Sequence, residues 1–589
     1  MQLPNKKKGF RSCFLGIDIG GTWIKGCTLE LNSANRNLPG NLEEMLAKTV
    51  RVKSPLSRQA TVQDFIGSVQ QLTSELGISE HALAGIGIST AGIVDYAGKR
   101  VLKSAGHLTV LQNSEWIRTL EDKFECPVVI INDADAAMIG ICESALLSGK
   151  KTVGIMPVGT GLGFAVWRNG RRWRQGKMLT LLGSVRTPAG LFDTLASASM
   201  LASSDPDNNL EQVLTHPDYD RVRLEYLENL TKIINTAAIL YNLDEVMICG
   251  GLADAVTVCD YPLENELTKR LSETPAELDK PVRVTVLKEG NTLQLIGAIA
   301  LAKGESVARS GQVLKSYQSI KTEIPYQKDI QLQNMSTTGL LEIFWKAEQE
   351  AGERLIDSLP ELIQVTDTIS KKISQGGRLI YVGSGSSGRI AAMDAVEIPC
   401  TYGFPEDRIL CIVSGGIADA AIEIESDFEE DASAVPEMLL MNVQKDDVVI
   451  GISASGTAYY VQSALAFAKN RGAYAVMIQS DATEKELPFC SAIIAMNSGN
   501  EVVAGSTRMK AGTATKKILN FISSAVMIKM GKVAGPYMID VACINNKLIE
   551  RAQDILGTLY KMDHQEAYQR LKNSDMQLGK VINDHKPHP

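Results

Sequence analysis

Twenty-six consecutive residues, Arg378 to Gly403 (RLIYVGSGSSGRIAAMDAVEIPCTYG), constrain the fold of this chain more than any other stretch. Leu379 to Val382 form an apolar run of strand length. Gly383-Ser384-Gly385-Ser386-Ser387-Gly388 follows as a turn whose glycines permit φ > 0 and leave N–H groups bare. Such a turn suits phosphate. The hydroxyls of Ser384, Ser386 and Ser387 add donors, and a helix over Arg389 to Glu397 directs its positive dipole end at the anion. Glu397 is expected at the other end of that short helix, where Pro399 stops it. A carboxylate there is electrostatically disfavoured, a setting that suits a general acid. The plainer reading is a glycine-rich strand-to-helix turn carrying a surface glutamate.

With 589 residues the chain exceeds one core and implies about two to four domains. A net charge of -8, with no basic block beyond Lys6-Lys7-Lys8, argues against a nucleic-acid partner. Asp18 interrupts the first apolar run too early for a signal peptide, and no apolar stretch reaches the length of a membrane span. A cytoplasmic protein is expected. The ten cysteines are scattered singly without a CxxC pair, and the six histidines are not spaced as ligands, so no structural metal site is expected.

The first half carries three glycine turns. Cys13 to Ile19 and Ile24 to Leu29 form a hairpin whose tip, Gly20-Gly21-Thr22, offers N–H groups and a hydroxyl beside Asp18. Ala84 to Ser89 and Pro127 to Ile131 are further buried strands, the latter feeding Asn132-Asp133-Ala134-Asp135. Thr152 to Val166 contains a second tip, Gly159-Thr160-Gly161, and Glu245 to Cys249 leads into Gly250-Gly251 before a helix. Asp133 stands at the end of a buried strand, and its plainer reading is the N-cap of a helix beginning near Ala134.

In this order the elements over about residues 12 to 304 resemble the ROK family of sugar kinases, within the two-lobed, actin-like (ribonuclease H-like) ATPase fold. The resemblance implies that Gly20, Gly21 and Thr22 with Gly159, Thr160 and Gly161 hold the phosphates of ATP. It implies that Asp18 orients Mg²⁺, that Gly250 and Gly251 lie against adenosine, that Asp133 is the general base and that Asn132 binds the sugar. The chain departs from the family at Gly183 to Val185, where a Glu-x-x-His sugar contact is usual. No cysteine lies between Cys142 and Cys249, so the family's zinc cluster is absent, and Asp193 stands near the family's sugar-binding glutamate. Either the site is reshaped for a bulkier sugar or the kinase half has decayed; the intact ATP motifs favour the first.

Residues 305–335 are polar, aperiodic and broken by Pro325, as expected of a linker, with Thr322-Glu323 a candidate start of the second unit. Thr338 to Ile373 is helical in pattern, interrupted near Pro360. Strands are then expected at Ile409 to Val413, Asp447 to Ser453, Tyr474 to Ile478 and Ala492 to Met496, each followed by a helix. That is a doubly wound parallel sheet with ligands at the strand C-termini. Two more anion-binding turns sit at those ends: Ser453-Ala454-Ser455-Gly456-Thr457, and Gly499 to Thr513, which adds Arg508 and Lys510.

The residues GRLIYVGSGSSGR, DAVEIPCTYG, GISASG and EVVAGSTRMKAGTATK resemble a sugar isomerase (SIS) domain of the N-acetylmuramic acid 6-phosphate etherase family over about residues 320 to 560. That family splits a lactyl ether at C3 of the sugar without a cofactor. The resemblance implies Glu397 as the acid that later acts as base, and Glu429, with Glu430 next, as the base for the C2 proton. The same acidic run reads otherwise as a solvated helix face. Phosphate is expected on Ser384, Ser386, Ser387, Ser453 and Ser455, with Lys510 reaching the site from the same chain or from a partner in a homodimer. Thr457-Ala458 departs from the family's Arg-Thr.

The expected organisation is thus a sugar kinase at 1–304, a linker at 305–335 and an SIS etherase domain at 336–589. Together they suggest a bifunctional enzyme that phosphorylates N-acetylmuramic acid with ATP and Mg²⁺ and then removes its D-lactyl group. The alternatives are a sugar-phosphate-sensing regulator and an aldose-ketose isomerase fused to a kinase.

Overall fold

The computed structural model describes residues 13–30, 49–55, 60–78, 82–95, 100–103, 109–112, 115–144, 146–147, 152–168, 170–173, 182–273, 281–288, 290, 292–313, 320–415, 433–480, 486–540, 543 and 545–585. The chain divides into two compact units, Met1–Ser310 with Val435–Asn442, and Gly311–Ala434 with Val443–Pro589.

The first unit contains two sheets. The first is built from β1 (Cys13–Ile19), β2 (Trp23–Glu30), β3 (Val50–Lys53) and β4 (Leu83–Thr90). After a small hairpin of β5 (Ile93–Asp95) and β6 (Arg100–Lys103), β7 (Val128–Asn132) completes it in the order β3-β2-β1-β4-β7. The second contains β8 (Thr152–Pro157), β9 (Ala165–Arg168) and β10 (Arg171–Trp173). It is completed, beyond the β11 (Arg186–Thr187) and β12 (Gly190–Leu191) hairpin, by β13 (Glu245–Cys249) and β14 (Arg283–Val286), in the order β10-β9-β8-β13-β14. The two orders are the same: an antiparallel meander of three strands whose first strand continues into two parallel neighbours. Both glycine tips, at Gly20 and Gly159, therefore occupy the same topological position, the turn after the central strand.

The helix Asp133–Glu143 lies against the long helix Thr292–Ser310 almost backbone to backbone. A Cβ on Gly140 would come 2.2 Å from the Leu293 carbonyl oxygen, and one on Gly297 would come 2.0 Å from that of Ala136. This glycine pairing fixes the height of the helix whose first residue is Asp133.

In the second unit the sheet is wholly parallel: β15 (Leu379–Gly383), β16 (Ile409–Val413), β17 (Val448–Ile452), β18 (Tyr474–Gln479) and β19 (Ala492–Ala495), in the order β16-β15-β17-β18-β19. All residues of β15, β16 and β17 are buried, as expected for parallel strands covered on both faces. The helices Thr337–Arg354, Leu359–Ser374 and Gly385–Tyr402 pack on Lys510–Lys529. Three further helices, Asn546–Tyr560, His564–Asn573 and Leu578–His585, form a small core of their own around Leu556, Leu571 and Ile582.

Two sequence expectations change. The helix after β15 runs over Gly385–Tyr402, so Ser386 and Ser387, expected in a turn, lie in its first turn, Ser384 is its N-cap, and Pro399 lies inside it. Burial of Ala395 and Ile398 in the core carries the helix past the proline. The actual stop is Gly403, whose left-handed φ of 59° lets its N–H reach the Pro399 carbonyl at 2.9 Å. The expected linker over 305–335 is not a free tether among the described residues. Residues 305–310 complete the preceding helix, while Tyr326 donates its N–H to Glu501 O (3.2 Å) and its hydroxyl to Glu350 (3.0 Å). Thr322 O also accepts from Gly505 N at 2.8 Å, which anchors 322–326 in the second unit.

Candidate functional site

In the second unit the chemistry gathers at the C-terminal ends of the strands. β15 ends at Gly383, and a Cβ there would meet Gly388 N at 2.7 Å, so the helix N-terminus closes directly onto the strand end. Ser384 is the N-cap residue, yet its hydroxyl makes no cap hydrogen bond; it is buried and has no partner among the described residues. Ser386 and Ser387 lie half-buried in the first turn. An 18-residue helix whose leading N–H groups are left uncapped beside a buried, unsatisfied hydroxyl can bind a dianion.

The second turn is organised by its own side chains. Gly456, at φ 75°, donates its N–H to Ser453 Oγ (3.1 Å), Thr457 N donates to Ser455 Oγ (3.2 Å), and the Ser455 and Thr457 hydroxyls lie 2.6 Å apart. The third turn is already occupied. Glu501, fully buried, accepts from Lys510 N (3.2 Å) and Ala511 N (2.9 Å), so it caps the helix Lys510–Lys529 where the sequence suggested a free anion site. Burial raises the Glu501 carboxyl above its usual range, opposed by these two N–H groups.

Lys510 itself is only 2% exposed. Its ammonium lies 4.9 Å from the centre of the Tyr326 ring and makes no hydrogen bond among the described residues. Burial lowers its pKa, and Arg354 adds to that while Glu501, Glu350 and Glu348 oppose it. Sequence reasoning missed Arg354 and Tyr326, and also Ser480 and Ser498, whose hydroxyls are buried beyond β18 and β19 without partners among the described residues. A signal was present: each of the five apolar runs is followed within a few residues by serine, at 384, 414, 453, 480 and 498.

Glu397 is not where the sequence placed it. It lies mid-helix, its side chain 60% exposed, ion-paired with Lys516 at 3.2 Å. Eleven residues of helix separate it from Ser386, about 16 Å along the axis. Glu397 and the serine turn of one chain therefore do not converge. Glu429 and Glu430 lie outside the described residues.

In the first unit, Asp18 lies half-buried one residue before the end of β1 and accepts from Ser89 Oγ at 2.8 Å. Burial raises its carboxyl, opposed by Lys25 and the Ser89 hydrogen bond. Asn132 is the N-cap of the helix Asp133–Glu143: its Oδ1 accepts from Ala134 N (3.0 Å) and Asp135 N (3.3 Å), while its Nδ2 donates to Gly92 O (2.9 Å). The capping role thus falls to Asn132, although Asp133 Oδ1 also accepts from Ala134 N at 2.8 Å. Asp133 is pushed up to about 7, first by burial and then by the charge of Asp18. A carboxylate titrating near neutrality is suited to taking a hydroxyl proton. Asp135, fully buried, forms an ion pair with Arg172 on β10, a partner not anticipated from sequence.

The two glycine turns have distinct supports. Gly20 N donates to Trp23 O (3.0 Å) and Gly159 N to Gly161 O (2.9 Å), leaving Thr22 and Thr160 exposed at their tips; Gly21 is half-buried beside Thr22. Asp193 Oδ1 accepts from Leu162 N at 2.6 Å, and a Cβ on Gly183 would fall 2.3 Å from the same oxygen. The Asp193 carboxylate thus fills the space of the side chain missing at Gly183. Gly250, at φ 87°, lies with its backbone against Val158, where a Cβ would approach the carbonyl oxygen to 2.9 Å; Gly251 begins the helix that follows. No helix among the described residues is long and apolar enough to cross a membrane.

Comparison with known proteins matches each half separately. Residues 14–183 match the ROK family, residues 361–469 the N-terminal SIS domain of glucokinase regulatory protein, and residues 426–520 the SIS domain. The chain is 38% identical over 270 residues to the N-acetylmuramic acid 6-phosphate etherase of Picosynechococcus, covering 45% of this chain and 89% of that protein. It is 40% identical over 257 residues to that of Prochlorococcus marinus, covering 43% and 82%. Among solved structures, a ROK family glucokinase from Streptomyces griseus in complex with glucose and AMPPNP covers 49% of this chain and 99% of its own, at 20% identity and a TM-score of 0.41. An inorganic polyphosphate/ATP-glucomannokinase from Arthrobacter covers 51% and 99%, at 23% identity and a TM-score of 0.36. Through its second half the chain belongs to the N-acetylmuramic acid 6-phosphate etherase family, joined to a ROK family domain in its first half.

Proposed function

We propose that the chain is a cytoplasmic, bifunctional enzyme. Its first unit transfers a phosphoryl group from ATP to the 6-hydroxyl of N-acetylmuramic acid, and its second unit converts the resulting 6-phosphate to N-acetylglucosamine 6-phosphate and D-lactate. The observation that carries the second activity is the uncapped, serine-lined helix start at Ser384 to Gly388, with its buried unsatisfied hydroxyl.

For the first reaction, Gly20 to Thr22 and Gly159 to Gly161 would hold the phosphates of a magnesium nucleotide, Gly250 and Gly251 would lie against its adenosine, and Asp18 would orient the Mg²⁺. Bound Mg²⁺-ATP supplies the phosphoryl group and charge neutralisation. Asp133 accepts the proton of the sugar hydroxyl, with Asn132 beside it as a sugar ligand. The missing Glu-x-x-His contact at Gly183 to Val185 suits a sugar that carries a bulky 3-O-lactyl group.

In the second reaction the phosphate rests on Ser384, Ser386, Ser387, Ser453 and Ser455, with Lys510 as a further cation. An unactivated ether is a poor leaving group, so elimination proceeds from the open-chain aldehyde, whose carbonyl acidifies the C2 proton. Glu429 takes that proton; Glu397 protonates the departing lactate oxygen and then activates the water that adds at C3. Because the serine turn and Glu397 are far apart along one helix, we infer that the site is assembled from two copies. Glu397 lies beside Val396, 67% exposed, and one turn from the exposed Met393, a face that a second chain would dry.

A sugar-phosphate sensor is the second reading, favoured by the match to the glucokinase regulatory protein SIS domain. The presence of a carboxylate at Glu397 favours catalysis instead. Incubating the protein with ATP, Mg²⁺ and N-acetylmuramic acid and assaying D-lactate decides between them. Release of lactate supports the enzyme; sugar-phosphate binding without lactate supports the sensor, and an aldose-ketose isomerase would leave the lactyl ether intact.

A further inference from the structure

Gln462 is only 1% exposed, on the helix Tyr459–Asn470 that follows the second serine turn. Its amide makes three hydrogen bonds. Oε1 accepts from Val313 N at 2.9 Å, and Nε2 donates to Val313 O at 3.0 Å and to Gly456 O at 2.8 Å. The first two form a reciprocal amide-to-peptide pair, as between neighbouring strands, and Val313 is the third residue of the second unit after Ser310. The third bond holds the loop Ser453 to Thr457.

We propose that Gln462 is a positioning residue that orients this loop for phosphate and couples its occupancy to the residues opening the second unit. The peptide between Gly456 and Thr457 is planar and trans, so fixing the Gly456 carbonyl also fixes the direction of the Thr457 N–H. That N–H meets Ser455 Oγ, one of the hydroxyls assigned to the ligand. An anion that draws Ser455 or Thr457 toward itself shifts the same peptide plane, and the shift reaches Val313 through one rigid, planar amide. With both hydrogens and the carbonyl oxygen of Gln462 engaged in a buried setting, either end loses hydrogen bonds if it moves alone.

The inference rests on the reading of this loop as a phosphate site, and one experiment separates the two. Hydrogen–deuterium exchange is measured on the full chain with and without N-acetylglucosamine 6-phosphate. The expected result is slower exchange both in peptides spanning 453–457 and in those containing Val313. Protection of the loop without protection at Val313 overturns the coupling and leaves the phosphate site standing; no protection of the loop removes both. Gln462→Met, close in shape but without the amide, is expected to raise the Kd for the sugar phosphate by roughly 5- to 20-fold, the weight of one or two hydrogen bonds. It is also expected to abolish the response at Val313. A lowered Tm with an unchanged Kd would show a merely structural glutamine and defeat the proposal. Should the variant not fold, exchange in the unaltered chain decides alone.

Discussion

On the proposed reading Asp133 serves the first reaction and Glu397 the second, and their settings differ in kind. Asp133 is half-buried, faces the charge of Asp18 and is held up to about 7. As the base it must be ionised, so phosphorylation is expected to rise with pH through about 7 and level off above it, measured at saturating ATP and sugar. Stability follows the opposite sense. The unfolded carboxyl ionises near its ordinary value while the folded one keeps its proton until about 7, so stability falls as pH rises across that interval and the penalty is complete above it. Asp133→Asn is therefore expected to raise Tm at pH 8 but not at pH 4, while lowering the phosphorylation kcat by roughly 10²- to 10⁴-fold. Glu397→Gln is expected to stop D-lactate release by a similar factor and leave ATP consumption intact, because the two residues serve different units. An equal loss of both activities in either variant would overturn this division of labour.

Elements were legible wherever their signal was local. The five strands of the parallel sheet were readable to within a residue or two because each is a continuous apolar run, and those of β15, β16 and β17 are buried on both faces. The hairpins closing at Gly20 and Gly159 were equally plain. The extent of the helix Gly385–Tyr402 was not, since glycine and serine suggest a turn and Pro399 a stop, and only packing of Ala395 and Ile398 into the core overrides them. Glu501 was also hidden, because the N–H groups it caps lie nine and ten residues downstream, across a loop. Its removal provides a test at this scale. Glu501→Ala leaves two buried N–H groups without their acceptor and is expected to cost roughly 1–2 kcal/mol, read as a drop in Tm. It should also weaken sugar-phosphate binding if Lys510, the first residue of that helix, contacts the ligand; an unchanged affinity would remove Lys510 from the site.

At the scale of the whole molecule, the second unit carries several large apolar side chains exposed on its helices. Trp345, 71% exposed, and Leu341 on the helix Thr337–Arg354, Met393 and Val396 on Gly385–Tyr402, and Phe521 on Lys510–Lys529 are all exposed on helices that pack together. Exposed apolar patches of this kind mark association surfaces, and a stable interface needs about 800 Å² per partner. A second copy seated there would take Glu397 out of bulk water. It would also let the glutamate of one chain act on a sugar held by the serine turn of the other. The composite site makes a sharp demand: losing the dimer must remove etherase activity even though no catalytic residue has changed. Trp345→Glu combined with Val396→Glu is expected to reduce the mass in analytical ultracentrifugation to that of one chain and to abolish D-lactate release. Phosphorylation, which draws only on the first unit, is expected to stay within about twofold, since surface changes away from a site seldom alter it further. A single-chain species that still released lactate at the normal rate would mean that Glu397 is not the acid, and that a carboxylate nearer to Ser384 performs the step.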